Sequence, residues 1–228
     1  MIKKILIVIL FTSPVFAIAS PEKDFDDFVS YFENRFPDTP FEDYKNGVYS
    51  IDKSAREQWE AMEEFPPYEL NVDRGEELFN RPFKNGNTYG SCFENGGIGI
   101  RQNYPYFDID KNKVVTLEGA INECRVKNGE KPLSYFKGKE LAHVSAYMAY
   151  TSRGNKFNVE VPNTKEALDA YEDGKRLYFT KKGQLNFSCA DCHVYQTGTK
   201  LRADIPSPAI GHPTHFPVYR SGMGRLVT

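Results

Sequence analysis

The residues best suited to chemistry in this 228-residue sequence are five in a row, Cys189-Ala190-Asp191-Cys192-His193. Two thiols three positions apart, followed at once by an imidazole, form the pattern of c-type haem attachment. The spacing has a mechanical reason. The thiols add to the two vinyl groups of one porphyrin, and the adjacent histidine is delivered beneath the iron as an axial ligand. Other chemistries that use Cys-x-x-Cys fit less well. Zinc needs two further ligands at short spacing, and no second Cys or His pair of that kind is present. A thioredoxin-like site needs a strand before and a helix after, whereas residues 183–188 and 194–198 read as loop. A plain disulfide within Cys-x-x-Cys is strained, and none of these alternatives uses His193. The expected cofactor is one covalent haem c, bound by Cys189 and Cys192, with His193 as the iron ligand.

The second axial ligand is open. His212, His215 and Met223 lie downstream of the motif, where small cytochromes c place a distal residue, but the histidines also fit a Pro-rich turn. His143 and Met148 read as ordinary helix residues. Arg202 and Arg220 could pair with haem propionates or with an anionic substrate. Cys92 and Cys124 remain. In an oxidising compartment they default to a disulfide closing a loop of about 33 residues, which contributes about 3 to 4 kcal/mol. The alternative is a reactive or metal-binding thiol pair.

The compartment follows from the N-terminus. Met-Ile-Lys-Lys, an apolar run over residues 5–16 and Ala17-Ile18-Ala19 have the three parts of a secretory signal peptide, so residues 1–19 are expected to be removed on export to the periplasm. The run is too short to span a bilayer. The net charge of -2 conceals an asymmetry, because residues 21–72 carry 14 acidic and 5 basic side chains and residues 73–228 carry 17 and 22. Such a weak positive field gives no case for nucleic acid.

The elements that must hold the motif are helical. Residues 20–72 read as an N-terminal extension with helices over 26–36 and 54–65, expected to lie on the first domain. A pattern then repeats: Arg74-Gly75-Glu76-Glu77-Leu78-Phe79 precedes Cys92 by 17 residues from the glycine, and Gly174-Lys175-Arg176-Leu177-Tyr178-Phe179 precedes Cys189 by 15. Two related domains are expected, residues 73–157 without haem and 158–228 with it, each opening with a helix. Asn163 is expected to cap the second helix, with Glu166 completing a capping box. Gly174, on its apolar face, marks an expected close crossing by another helix. Residues 141–152 form a closing helix for the first copy; the second copy lacks one, which suggests a truncated chain. The fold class is mainly α, two cytochrome c-like domains in tandem, the second incomplete.

The motifs around both cysteine sites resemble one family. Gly183 to His193, then Gly198-Thr199-Lys200-Leu201-Arg202-Ala203, Gly211-His212 and Phe216-Pro217-Val218-Tyr219-Arg220, are similar to the SoxA subunit of the sulfur-oxidising SoxAX cytochrome. So are Asn95-Gly96-Gly97-Ile98-Gly99-Ile100-Arg101-Gln102 and Ala120-Ile121-Asn122-Glu123-Cys124-Arg125 in the first domain. Dihaem relatives have a first Cys-x-x-Cys-His where this chain has Cys92-Phe93-Glu94-Asn95-Gly96, so no haem can attach there. Cys124 matches the position that ligates that haem, and the resemblance implies that it pairs with Cys92 instead, as in monohaem relatives. It also implies that the active-site haem's cysteine ligand lies beyond residue 228, so that His212 and Met223 need not be ligands and the catalytic centre is incomplete in these residues.

The implied activity is that of an L-cysteine S-thiosulfotransferase, joining thiosulfate oxidatively to a cysteine of a SoxYZ carrier. The implied partners are a SoxX monohaem cytochrome and a cytochrome c electron acceptor. Lys175, Arg176, Lys181, Lys182, Lys200 and Arg202 could attract the dianion. The competing reading is a simple periplasmic electron-transfer cytochrome c without catalysis.

Overall fold

A computed structural model describes residues 20–228; the signal-peptide reading therefore lies outside the described residues. Six α-helices carry the fold: α1 (Pro21–Arg35), α2 (Lys53–Met62), α3 (Glu69–Asn80), α4 (Leu117–Lys127), α5 (Glu140–Tyr150) and α6 (Lys165–Phe179). Two antiparallel hairpins, β1 (Tyr106–Asp108) with β2 (Lys113–Val115) and β3 (Val218–Arg220) with β4 (Arg225–Val227), are the sheet content of the described residues. Among the described residues no helix is long and apolar enough to cross a membrane. The chain is mainly α, as the sequence predicts.

The main core lies between α3, α4 and α5. Leu78 and Phe79 of α3, Ile121 and Cys124 of α4, and Leu141, Val144 and Met148 of α5 are buried together with Tyr89 and Leu117. Their helical spacing explains why α3 and α5 can come so close, and Gly75 is where they do. A Cβ added at Gly75 would stand 2.1 Å from the His143 carbonyl oxygen. His143 and Met148 are helix residues, as expected: Met148 is fully buried, and His143 Nε2 is 3.1 Å from Asn71 Oδ1 at the same crossing.

Cys92 and Cys124 form a disulfide, with 5.7 Å between their Cα atoms. It ties the irregular segment after α3 to α4. Beside it, the buried Asn128 amide donates to the Cys124 carbonyl at 2.9 Å, while its oxygen accepts from Asn85 at 2.8 Å and Asn87 at 2.9 Å. Replacing both cysteines with serine is expected to cost about 3 to 4 kcal/mol, read from urea denaturation of oxidised wild type against the double variant. Equal midpoints would show that the crosslink does not constrain the unfolded chain.

The N-terminal extension departs in part from expectation. Its end lies on the first domain as expected, with Tyr68 Oη accepting from Arg153 at 2.6 Å, but α1 and the 3-10 turns at Phe41–Ser50 pack against the Cys-x-x-Cys-His half of the chain, on a second 3-10 segment at Ala209–His215. The reason is close backbone fit. Gly211 lets Ala209–His215 meet the Tyr44 carbonyl, and Gly47, at φ 58, makes room for the His215 ring. A local polar contact agrees: Asp24 of the acidic α1 accepts from Lys175 of α6 at 2.6 Å and from Tyr171 at 3.0 Å. Burial works to raise the Asp24 pKa, but these two donors hold its carboxyl below the usual range.

Two details of α6 also differ. Its cap is Thr164, whose Oγ1 accepts from the Ala167 N–H at 3.3 Å, so Asn163 is not the cap and Glu166 is not at the capping-box position. No atom of another element lies within 4 Å of a Cβ built at Gly174, so among the described residues no helix crosses there.

Candidate functional site

The Cys-x-x-Cys-His motif sits on a tight helical turn that its own sequence builds. Ser188 and Asp191 cap each other: the Asp191 carboxylate accepts from the Ser188 N–H at 2.8 Å, and the Asp191 N–H donates to Ser188 Oγ at 3.1 Å. The Ser188 backbone bond, with help from Lys181 at 3.5 Å, holds the Asp191 carboxyl below its usual range. The turn runs on as a single π-helical turn over Asp191–Tyr195, so Val194 and Tyr195 are helical rather than loop. Ala190 is fully buried beneath it, and the free thiols of Cys189 and Cys192 are left accessible, Cys189 exposed and Cys192 partly so.

His193 is oriented from behind. Its Nδ1 lies 3.0 Å from the Ser207 carbonyl, which can only accept, so in the neutral ring the proton is on Nδ1 and the lone pair on Nε2. That is the state in which an imidazole binds a metal ion. The back of the turn is held by α1, through Tyr31 Oη to the Val194 carbonyl at 3.3 Å and Arg35 to the Tyr195 and Thr197 carbonyls at 3.1 and 3.0 Å.

Beside the turn lies an open, mostly apolar shelf of about 390 Å³, lined by Phe28, Tyr178, Ala209, His212, Pro213 and Phe216. The His212 ring stacks on His193 with 4.1 Å between centroids. Burial first, then the neighbouring His193, His215 and Arg220, press its pKa down to about 4. Two thiols on one side of a helical turn, a fixed imidazole with a free Nε2 and an adjoining apolar wall fit a covalently attached haem.

Other sequence candidates separate in space. His215 is packed against Gly47 with its Nε2 buried and unpartnered, so it serves the contact with the N-terminal extension. Met223 is 53% exposed. Arg202 is exposed, while Arg220, also exposed, contributes charge at His212. Of the basic group, Lys175, Arg176 and Lys181 are paired with Asp24, Asp173 and Asp191. Among the described residues Lys182, Lys200 and Arg202 have no such ion pair.

Phe28, Tyr178 and Ser207 were not legible as site residues in the sequence. Phe28 comes from a helix about 160 residues away, and Ser207 acts through its backbone. Tyr178 alone had a signal, being the aromatic four residues after the repeated glycine.

Residues 74–157 match the SoxA/TsdA cytochrome c domain family. Over 207 residues the chain is 55% identical to the L-cysteine S-thiosulfotransferase subunit SoxA of Chlorobaculum tepidum, covering 91% of this chain and 71% of that protein. The chain belongs to the SoxA family. The subunit of the same name from Allochromatium vinosum is 50% identical over 211 residues, covering 92% of this chain and 74% of the relative. The crystal structure of SoxXA from P. pantotrophus aligns with a TM-score of 0.61 at 29% identity, over 72% of this chain and 61% of that chain. The expected family is thereby shown, and with it a haem c protein that is a subunit of a thiosulfotransferase.

Proposed function

We propose that this chain carries one haem c, attached through Cys189 and Cys192 with His193 as an iron ligand, and acts in the periplasm in the oxidative joining of thiosulfate to a cysteine of a carrier protein. The observation that carries the reading is His193: its Nδ1 is engaged by Ser207 and its Nε2 is free, directly after two accessible thiols and beside the shelf. The reaction joins a carrier thiol to thiosulfate through a new S–S bond, with loss of one proton and two electrons. Haem, when bound, supplies the route by which single electrons leave for a cytochrome c acceptor.

The chain's own residues do the positioning. Ser188 and Asp191 shape the attachment turn, α1 holds it from behind, and the shelf supplies an apolar face. Lys182, Lys200 and Arg202 offer positive charge near the motif for a dianion, with the energy of solvated surface charges. The SoxXA neighbour supports a SoxX-like cytochrome as partner. The carrier, a SoxYZ-like protein, is proposed from the chemistry its relatives are named for. The two-domain reading is part of the same proposal, supported by the glycine-aromatic motif repeated in the second halves of α3 and α6.

Periplasmic expression with haem-maturation machinery is expected to give one haem per chain by pyridine haemochrome, with the Cys192→Ser variant losing the two-thioether spectrum. With whatever chain follows residue 228 included, the holoprotein mixed with a SoxX-like cytochrome and a carrier is expected to reduce cytochrome c only when thiosulfate is present. A chain without haem, or with two, would refute the attachment reading.

A further inference from the structure

One polar atom in the shelf wall has no partner among the described residues. Tyr178 Oη is buried and makes no hydrogen bond, although its ring lines the shelf beside His212. Buried hydroxyls without partners are rare, because desolvation is then uncompensated. Burial first, then the nearby Cys189 and Cys192, push this phenol up to about 12, so it remains a donor at neutral pH.

Packing does not require the oxygen. In the repeated stretch, Phe79 stands four residues after Gly75 as Tyr178 stands four after Gly174, and Phe79 is 4% exposed in the core with no polar atom. The hydroxyl is therefore an addition, found in the copy that carries the thiols and histidine. Acceptors in the shelf are few. The other lining residues are apolar apart from His212, and the two sulfurs, once they are thioethers, accept only weakly. What remains is anionic oxygen brought in with the cofactor or with a ligand.

We propose that the Tyr178 hydroxyl donates a hydrogen bond to an anionic oxygen in the haem pocket, either a haem carboxylate or the oxygen of a bound sulfur oxyanion. The inference rests on the attachment reading above.

The test compares wild-type and Tyr178→Phe holoproteins, Phe being the residue the sister position already uses. Haem stoichiometry is measured first, and a wild-type chain without haem refutes the attachment reading independently of the hydroxyl. With haem present in both, the midpoint potential is measured without added anion, and thiosulfate is titrated against the Soret band. If a haem carboxylate is the acceptor, Tyr178→Phe lowers the potential, since the carboxylate charge is less compensated and favours ferric iron, and the thiosulfate response is unchanged. If an oxyanion is the acceptor, the potential is unchanged and the half-saturating thiosulfate concentration rises about tenfold, the loss of one hydrogen bond to a charged group. If neither quantity moves, the proposal is overturned and the hydroxyl has no role beyond packing.

Discussion

Replacing Gly75 with alanine is expected to destabilise the protein by about 2 kcal/mol or more, while the same replacement at Gly174 stabilises it by up to about 1 kcal/mol. Both glycines sit in helices, and both occupy the same place in the repeated motif. Exposed to solvent alone, each would gain about 1 kcal/mol of helix propensity on becoming alanine. The difference is what the new methyl meets. At Gly75 it would lie 2.1 Å from the His143 carbonyl oxygen and 2.8 Å from Tyr147 Cβ, so α3 and α5 would have to separate. That crossing is the centre of the main core, where Phe79, Val144 and Met148 pack, and separation removes contacts from all of them. At Gly174 nothing stands within 4 Å. Urea denaturation followed by far-ultraviolet circular dichroism measures both. Equal shifts at the two positions would contradict the structural asymmetry between the copies.

What could be read from the sequence was local. The attachment motif states its own chemistry through spacing. The helices α1, α2, α5 and α6 are legible from proline punctuation and apolar periodicity, with the start of α1 placed five residues late, because those signals act over one or two turns. The pairing of Cys92 with Cys124 is the default for two cysteines in an oxidising compartment, the family resemblance sharpens it, and the structure has the bond. The misses have a common physical source. Asn163 and Thr164 are both good caps one residue apart, and only the backbone shows that Thr164 takes the role. A helical glycine reads as a helix contact, which holds at Gly75 and fails at Gly174. His212 and His215 were equivalent candidates, yet one stacks on His193 and the other is buried against Gly47. The seat of the N-terminal extension depends on backbone approaches across more than 160 residues of sequence, for which periodicity holds no signal.

That seat makes the second large prediction. Gly211→Ala is expected to cost about 3 kcal/mol and to release the N-terminal extension from the attachment-site half of the chain. A Cβ at Gly211 would stand 1.6 Å from the Tyr44 carbonyl oxygen, a distance that no rotamer can relieve because both partners are backbone. Tyr44 cannot retreat easily: it is 2% exposed, and its hydroxyl donates to the Phe32 carbonyl at 2.9 Å. The two segments must therefore part, which also breaks the bond from Thr214 Oγ1 to the Lys45 carbonyl and unseats His215 from Gly47. Phe28 of α1 lines one side of the shelf while Ala209, His212 and Pro213 line another, so parting them opens the shelf to water. Gly222→Ala is the control, since nothing lies within 4 Å of that position and a change within about 0.5 kcal/mol is expected. Limited proteolysis should cut the Gly211→Ala protein within residues 36–52 much faster than wild type, and Trp59, stacked on Tyr49, should report the loss by fluorescence. In the holoprotein the midpoint potential should fall, because a more solvated haem favours the ferric state. A Gly211→Ala protein as stable and as protease-resistant as the Gly222→Ala control would place the extension elsewhere, as the sequence alone had suggested.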